Sequence, residues 1–98
     1  MSMALSDDDK GQLVANAQDV VKGLLKSPSS SKFSWSFDDY EFYSYGKSFS
    51  HEGCVRYVIK GFVDSDNSYG VSARSMFLVI MDYRSGDSSS HVIEKSII

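Results

Sequence analysis

One cysteine, one proline and no long apolar run set the first limits on this 98-residue chain. A lone thiol, Cys54, cannot close an internal disulfide, so no disulfide framework points to export. The lone proline, Pro28, marks one boundary and leaves the chain on either side free to form long regular elements. No stretch approaches the roughly 20 apolar residues that a membrane helix needs, which predicts no membrane insertion. Basic residues are scarce as well: ten Lys and Arg against thirteen Asp and Glu give a net charge of −3. Without clustered cations to displace counterions, direct nucleic-acid binding is not expected. The opening MSMALSDDDK is acidic where a signal peptide is basic, and it has no apolar core segment. The chain as given therefore reads as cytoplasmic, or extracytoplasmic if it was excised from a longer anchored protein.

What is present points to one α+β domain over residues 1–98. Hydrophobic residues make up 42% of the chain and aromatics 13%, enough to build a core. Residues 6–26 carry Leu13, Val14, Ala17, Val20, Val21, Leu24 and Leu25 at helical spacing, with Ser6 as N-cap and Asp7, Asp8 and Asp9 at the positive end of the helix dipole. Pro28 is the expected terminator. From about residue 33 to 98 the chain turns β-rich. FSWSF places Phe33, Trp35 and Phe37 on one face of a strand or extended connector. YEFYSY, VRYVIKGFV, VSARSMFLVIMDY and HVIEKSII follow as strands, separated by GKSFSHEG, DSDNSYG and RSGDSSS. Short connections favour antiparallel neighbours. The expected architecture is an N-terminal helix on a roughly four-stranded antiparallel meander, cystatin-like in outline. In MFLVIM both faces are apolar, yet one helix covers one face. The Trp35 segment or a second copy of the chain is expected to cover the other, which raises a homodimer.

Motifs with chemistry are few. Asp64, Asp66 and Ser68 have the spacing of a calcium loop, but the glycine and glutamate expected at its sixth and twelfth positions are Tyr69 and Ser75. The stretch reads instead as a turn of Asp, Asn, Ser and Gly between two strands. His51 and Cys54 lie three apart without a third orienting group, and His51, Cys54 and His91 lack the paired spacing of a zinc site. No catalytic residue, metal ligand or cofactor is therefore assigned. The aromatics from Phe33 to Tyr45 are interleaved with Asp38, Asp39 and Glu41, which suits packing or protein contact better than base stacking.

Leu25, Lys26, Pro28, Lys32 and Phe33, with Val63, Asp64, Asn67, Ser68, Tyr69, Gly70, Arg74 and Phe77, form a pattern. It resembles a small domain of unknown function from Gram-positive bacteria and their phages, some of whose members sit in longer secreted or anchored chains. The resemblance implies a specific turn at Asn67–Gly70 and a pair between Arg74 and Asp64 or Asp66. The functional reading is a non-catalytic interaction module with an unidentified protein partner. Its candidate contacts are Asp64, Asp66, Asn67, Ser68, Tyr69, Arg74, Trp35, Tyr43 and Tyr45. The alternative is a small acidic phage-encoded inhibitor of a host defence protein or nuclease, of the anti-CRISPR type. A Cys54–His51 hydrolase is the remote third.

Overall fold

A computed structural model describes residues 5–86 and 89–98. Met1–Ala4, and Asp87 and Ser88 of the expected RSGDSSS turn, lie outside the described residues. Helix α1 spans Asp7–Lys22, and the Ser6 hydroxyl accepts the Asp9 N–H at 3.1 Å. The helix stops four residues short of Lys26, ahead of Pro28. Gly23 follows Lys22 and favours ending the helix. The N–H groups of Leu24 and Leu25 then donate to Val21 and Lys22 in the tighter three-residue pattern. Pro28 instead opens a short 3-10 turn, Pro28–Ser30. Leu24 is accordingly exposed, while Leu25 packs at the edge of the core.

Among the described residues the sheet has five antiparallel strands: β1 Lys32–Phe33, β2 Glu41–Lys47, β3 Val55–Asp66, β4 Ser72–Tyr83 and β5 Ser90–Ile97. Strands β2 to β5 form the expected meander, and β1 shares with β2 the same edge of β3. The alternation expected in FSWSF breaks after Phe33. Ser36 caps a 3-10 turn at Phe37–Asp39, so Phe33, Trp35 and Phe37 do not share a face. Phe33 packs on the core, Trp35 is fully exposed, and Phe37 lies beside Gly11 of the helix. This segment runs along the helix side of the sheet, so it does not cover the second face.

Leu13, Val14, Ala17 and Val21 bury one stripe of α1 against Tyr57, Ile59, Val63, Phe77, Val79, Met81 and Tyr83. These are alternate residues of β3 and β4, as the period of two requires. Gly61 interrupts the series directly opposite Phe77. A β-carbon there would stand 2.8 Å from Phe77 Cζ and 2.9 Å from Tyr40 Cδ1. The missing side chain is the space that Phe77 occupies. Phe33 meets the same ring edge-on at 6.0 Å, and Tyr40 lies 6.3 Å away. Gly61→Ala is expected to lower stability by about 1–3 kcal/mol, since overpacking outweighs the usual gain of replacing a strand glycine. Urea denaturation of the two proteins measures it.

Candidate binding surfaces

The β3–β4 hairpin pairs twelve residues on each strand, from Val55↔Tyr83 to Asp66↔Ser72. Its tip has its own hydrogen bonding. Asn67 Oδ1 accepts the N–H groups of Tyr69 at 2.9 Å and Val71 at 3.1 Å, and Gly70 takes a φ of 77°. Such an Asx turn closes the loop without a second element, and glycine meets the positive φ without strain. Arg74 chooses Asp64, its cross-strand partner, with Nε and NH2 donating to the two carboxylate oxygens at 2.8 and 3.0 Å. Arg74 hydrogen bonding holds the Asp64 carboxyl below the usual range. Asp66 joins through its backbone N–H, which donates to Ser30 Oγ at 2.9 Å. Ser68 Oγ accepts from Lys26 Nζ at 3.2 Å, which ties the tip to the connection between α1 and Pro28. The Tyr69 ring stands free in solvent.

The sheet face opposite α1 has no covering layer among the described residues. Its apolar residues are handled from within the sheet. The Arg74 guanidinium lies 4.0 Å from the Phe62 ring centre, and Lys60 Nζ lies 5.5 Å from that of Tyr43. Tyr43 pairs with Val58 across the strands and helps bury it. What stays open is a shallow groove of about 360 Å³ lined by Tyr43, Tyr45, Val58, Lys60, Leu78 and Ile80. Met76 is 50% exposed on this face and Tyr43 is 48% exposed. Tyr45 protrudes where the β2 register shifts between Ser44 and Gly46. The fold thus brings Tyr43 and Tyr45 together but places Trp35 on the helix side.

At one end of the same face lies a cluster that sequence reasoning missed. Asp82 of β4 is 0% exposed and carries four donors. Arg56 Nε donates to Oδ1 at 2.8 Å, while Arg56 NH2, Ser48 Oγ and His51 Nδ1 meet Oδ2 at 3.1, 2.6 and 2.6 Å. Ser48 Oγ also accepts the N–H groups of Ser50 and His51, so one hydroxyl folds the loop and fastens it to β4. The His51 ring stacks on His91 at 3.9 Å, nearly parallel. His51 is therefore a loop residue bonded to Asp82, while His91 is an exposed residue at the start of β5. Cys54 is buried, and its backbone N–H donates to the His51 carbonyl at 3.2 Å, but among the described residues no hydrogen bond joins the thiol to the imidazole, whose Nδ1 meets Asp82. The helix N-terminal acids are also partly occupied: the Asp9 carboxylate accepts from Tyr83 and Ser85, both at 2.9 Å. The only available signal for the cluster was parity, since Arg56 and Asp82 break the apolar series on the same outer face.

No protein-family model matches the chain, and no curated protein or solved structure is significantly similar to it. The geometry alone therefore carries the chemistry. Among the described residues, no three His, Cys, Asp or Glu side chains gather to hold a metal ion, and no helix is long and apolar enough to cross a membrane. Every buried side-chain polar atom among them has a hydrogen-bond partner.

The Asp82 carboxyl is held well below the usual carboxylate range by Arg56 first, with Ser48 and His51 adding to it against the cost of burial. A depressed folded-state value stabilises the fold above the unfolded value of about 3.9 and is lost as pH falls below it. Stability is therefore expected to drop below about pH 4, with a shallower drop in Asp82→Asn, read by denaturation across pH. At neutral pH, Asp82→Ala is expected to cost about 3–5 kcal/mol by stranding its partners. Arg74→Ala removes an exposed pair and uncovers the Phe62 ring, and is expected to lower the melting temperature slightly.

Proposed function

We propose that this protein is a non-catalytic interaction module that binds another protein through the sheet face opposite α1. The observation that carries the reading is the groove at Tyr43, Tyr45, Leu78 and Ile80, left without a covering layer beside the half-exposed Met76. An apolar strip framed by Lys60, Arg74 and Asp64 has the composition of an interface core with a charged rim. Tyrosine at such a strip gives large contact area at low ordering cost. The hairpin tip supports the reading less, because Asn67, Asp64 and Arg74 already serve the turn and the strand pairing.

Tyr43→Ala combined with Met76→Glu tests it, since both positions are about half exposed and the fold is expected to persist. Wild type should retain a partner that this variant loses and Tyr69→Ala, at the exposed hairpin tip, keeps. Light scattering at high concentration reads whether the partner is a second copy. A monomer that retains no partner dependent on Tyr43 and Met76 would sink the proposal.

A further inference from the structure

The open sheet face carries opposite charges on its two sides. Leu78 and Ile80 of β4 form the floor of the groove. Lys60 of β3 is the cross-strand partner of Leu78, and Glu94 of β5 is that of Ile80, so both project away from α1. Lys60 also faces Glu41 of β2, but no ion pair joins those two among the described residues. Its Nζ lies instead 5.5 Å from the Tyr43 ring centre, which carries the charge out over β2. Glu94 is exposed and forms no ion pair among the described residues. Nearer the hairpin tip the anion is on β3 and the cation on β4: Asp64, with Lys32 facing it from β1, and Arg74.

A two-fold contact sets a surface on its own image, so it requires a self-complementary face. Aligned sheets stack about 10 Å apart with their strands within about 30° of each other. An axis along the strands, midway between β3 and β4, lays β3 of each copy over β4 of the other, and β2 over β5. Phe62 then meets Met76 of the second copy, and Val58 meets Ile80. Asp64 comes over Arg74 of the second copy. Lys60 Nζ, held over Tyr43, comes over Glu94. Each of these four charges meets its opposite, and each contact occurs twice. An unrelated partner would impose no such relation between the two sides of the groove. The Asp82 end stays outside the contact, since that carboxylate is sealed by Ser48, His51 and Arg56.

The size of the face fits as well. Seven residues, from Asp64 to Val58, give it a length of about 25 Å, and four strands a width of about 20 Å. Two such faces bury about 1,000 Å², the lower limit for a specific interface. A dimer of this size exchanges with monomer.

We infer that a second copy of the chain covers this face, in a two-fold dimer with Met76, Leu78 and Ile80 at its centre and reciprocal Lys60–Glu94 contacts at its sides. The inference rests on the sheet face being the binding surface, and it names the partner.

Sedimentation over a concentration series up to about 1 mM tests it. Wild-type mass should climb toward that of a dimer. Lys60→Glu alone and Glu94→Lys alone set like charges together and should each weaken the dimer about tenfold or more. Mixed in equal amounts, one variant supplies two glutamates and the other two lysines, so a dimer of one of each should form at wild-type concentrations. The double variant, Lys60→Glu with Glu94→Lys, should dimerise like wild type, which also reports that the fold tolerates both changes. A wild type that stays monomeric throughout overturns the inference. So does a mixture of the single variants that fails to associate, or a dimer that neither single variant weakens. A monomeric wild type that retains a different protein, lost in the Tyr43→Ala, Met76→Glu variant, removes the second copy and leaves the sheet-face reading in place.

Discussion

The Phe77 ring over Gly61 is the contact on which the rest of the arrangement depends. It occupies space that any side chain at Gly61 would fill. Phe33 and Tyr40 close on the same ring from β1 and from the start of β2. With both ends anchored at one place, the six residues between them cannot continue as a strand. They must arch outward, which they do through the 3-10 turn at Phe37–Asp39. Trp35 sits on that arch, so its exposure follows from the packing of its neighbours. The same arch forms one wall of an open cleft beside α1, lined by Gln18, Lys22 and residues 31–35, so a core glycine on β3 shapes the surface beside the helix.

The two faces of the sheet solve the problem of apolar surface differently. On one face α1 supplies a layer and the side chains interdigitate as in any core. On the other, long cationic side chains lie over rings, and the polar cluster at Asp82 closes one end. Cations over aromatics shield part of a ring while keeping their charge in water. They leave a gap at Leu78 and Ile80 that forms the open groove, and they leave Met76 half exposed. The groove is thus the part of an apolar face that internal devices do not reach.

Legibility in the sequence tracked how local each cause was. The Ser6 cap, the period of two in β3 and β4, the Asn67 turn and a pair from Arg74 to Asp64 or Asp66 all rest on residues close in sequence or facing each other across one hairpin, and they were readable up to the choice between the two aspartates. The end of α1 was misplaced because Pro28 is the louder signal, while Gly23 ended the helix first. FSWSF alternates like a strand, but tertiary packing of Phe33 and Tyr40 overrode the pattern. The Asp82 cluster was invisible as a unit because Ser48, His51, Arg56, Asp82 and His91 come together only when β3, β4 and β5 are aligned. The exposure of Trp35 was unreadable for the same reason.

That alignment is itself written in charge. Both β3–β4 ion pairs are direct cross-strand partners, Arg56 with Asp82 and Asp64 with Arg74, at opposite ends of one face. The strands between them are mostly apolar, and apart from the fit of Phe77 over Gly61 their alternation would allow a slip of two residues that keeps every side chain on its face. Such a slip in one direction sets Asp82 against Val58 and Arg56 against Arg84. In the other it sets Asp82 against Cys54 and Arg56 against Ile80. Either way a buried carboxylate loses its guanidinium, which costs far more than a mismatched aliphatic pair. A slip of one residue is worse, since it turns Asp82 into the layer beneath α1. The ion pairs add little by attraction at the surface. What they supply is a penalty on every wrong register, and the buried one makes that penalty large.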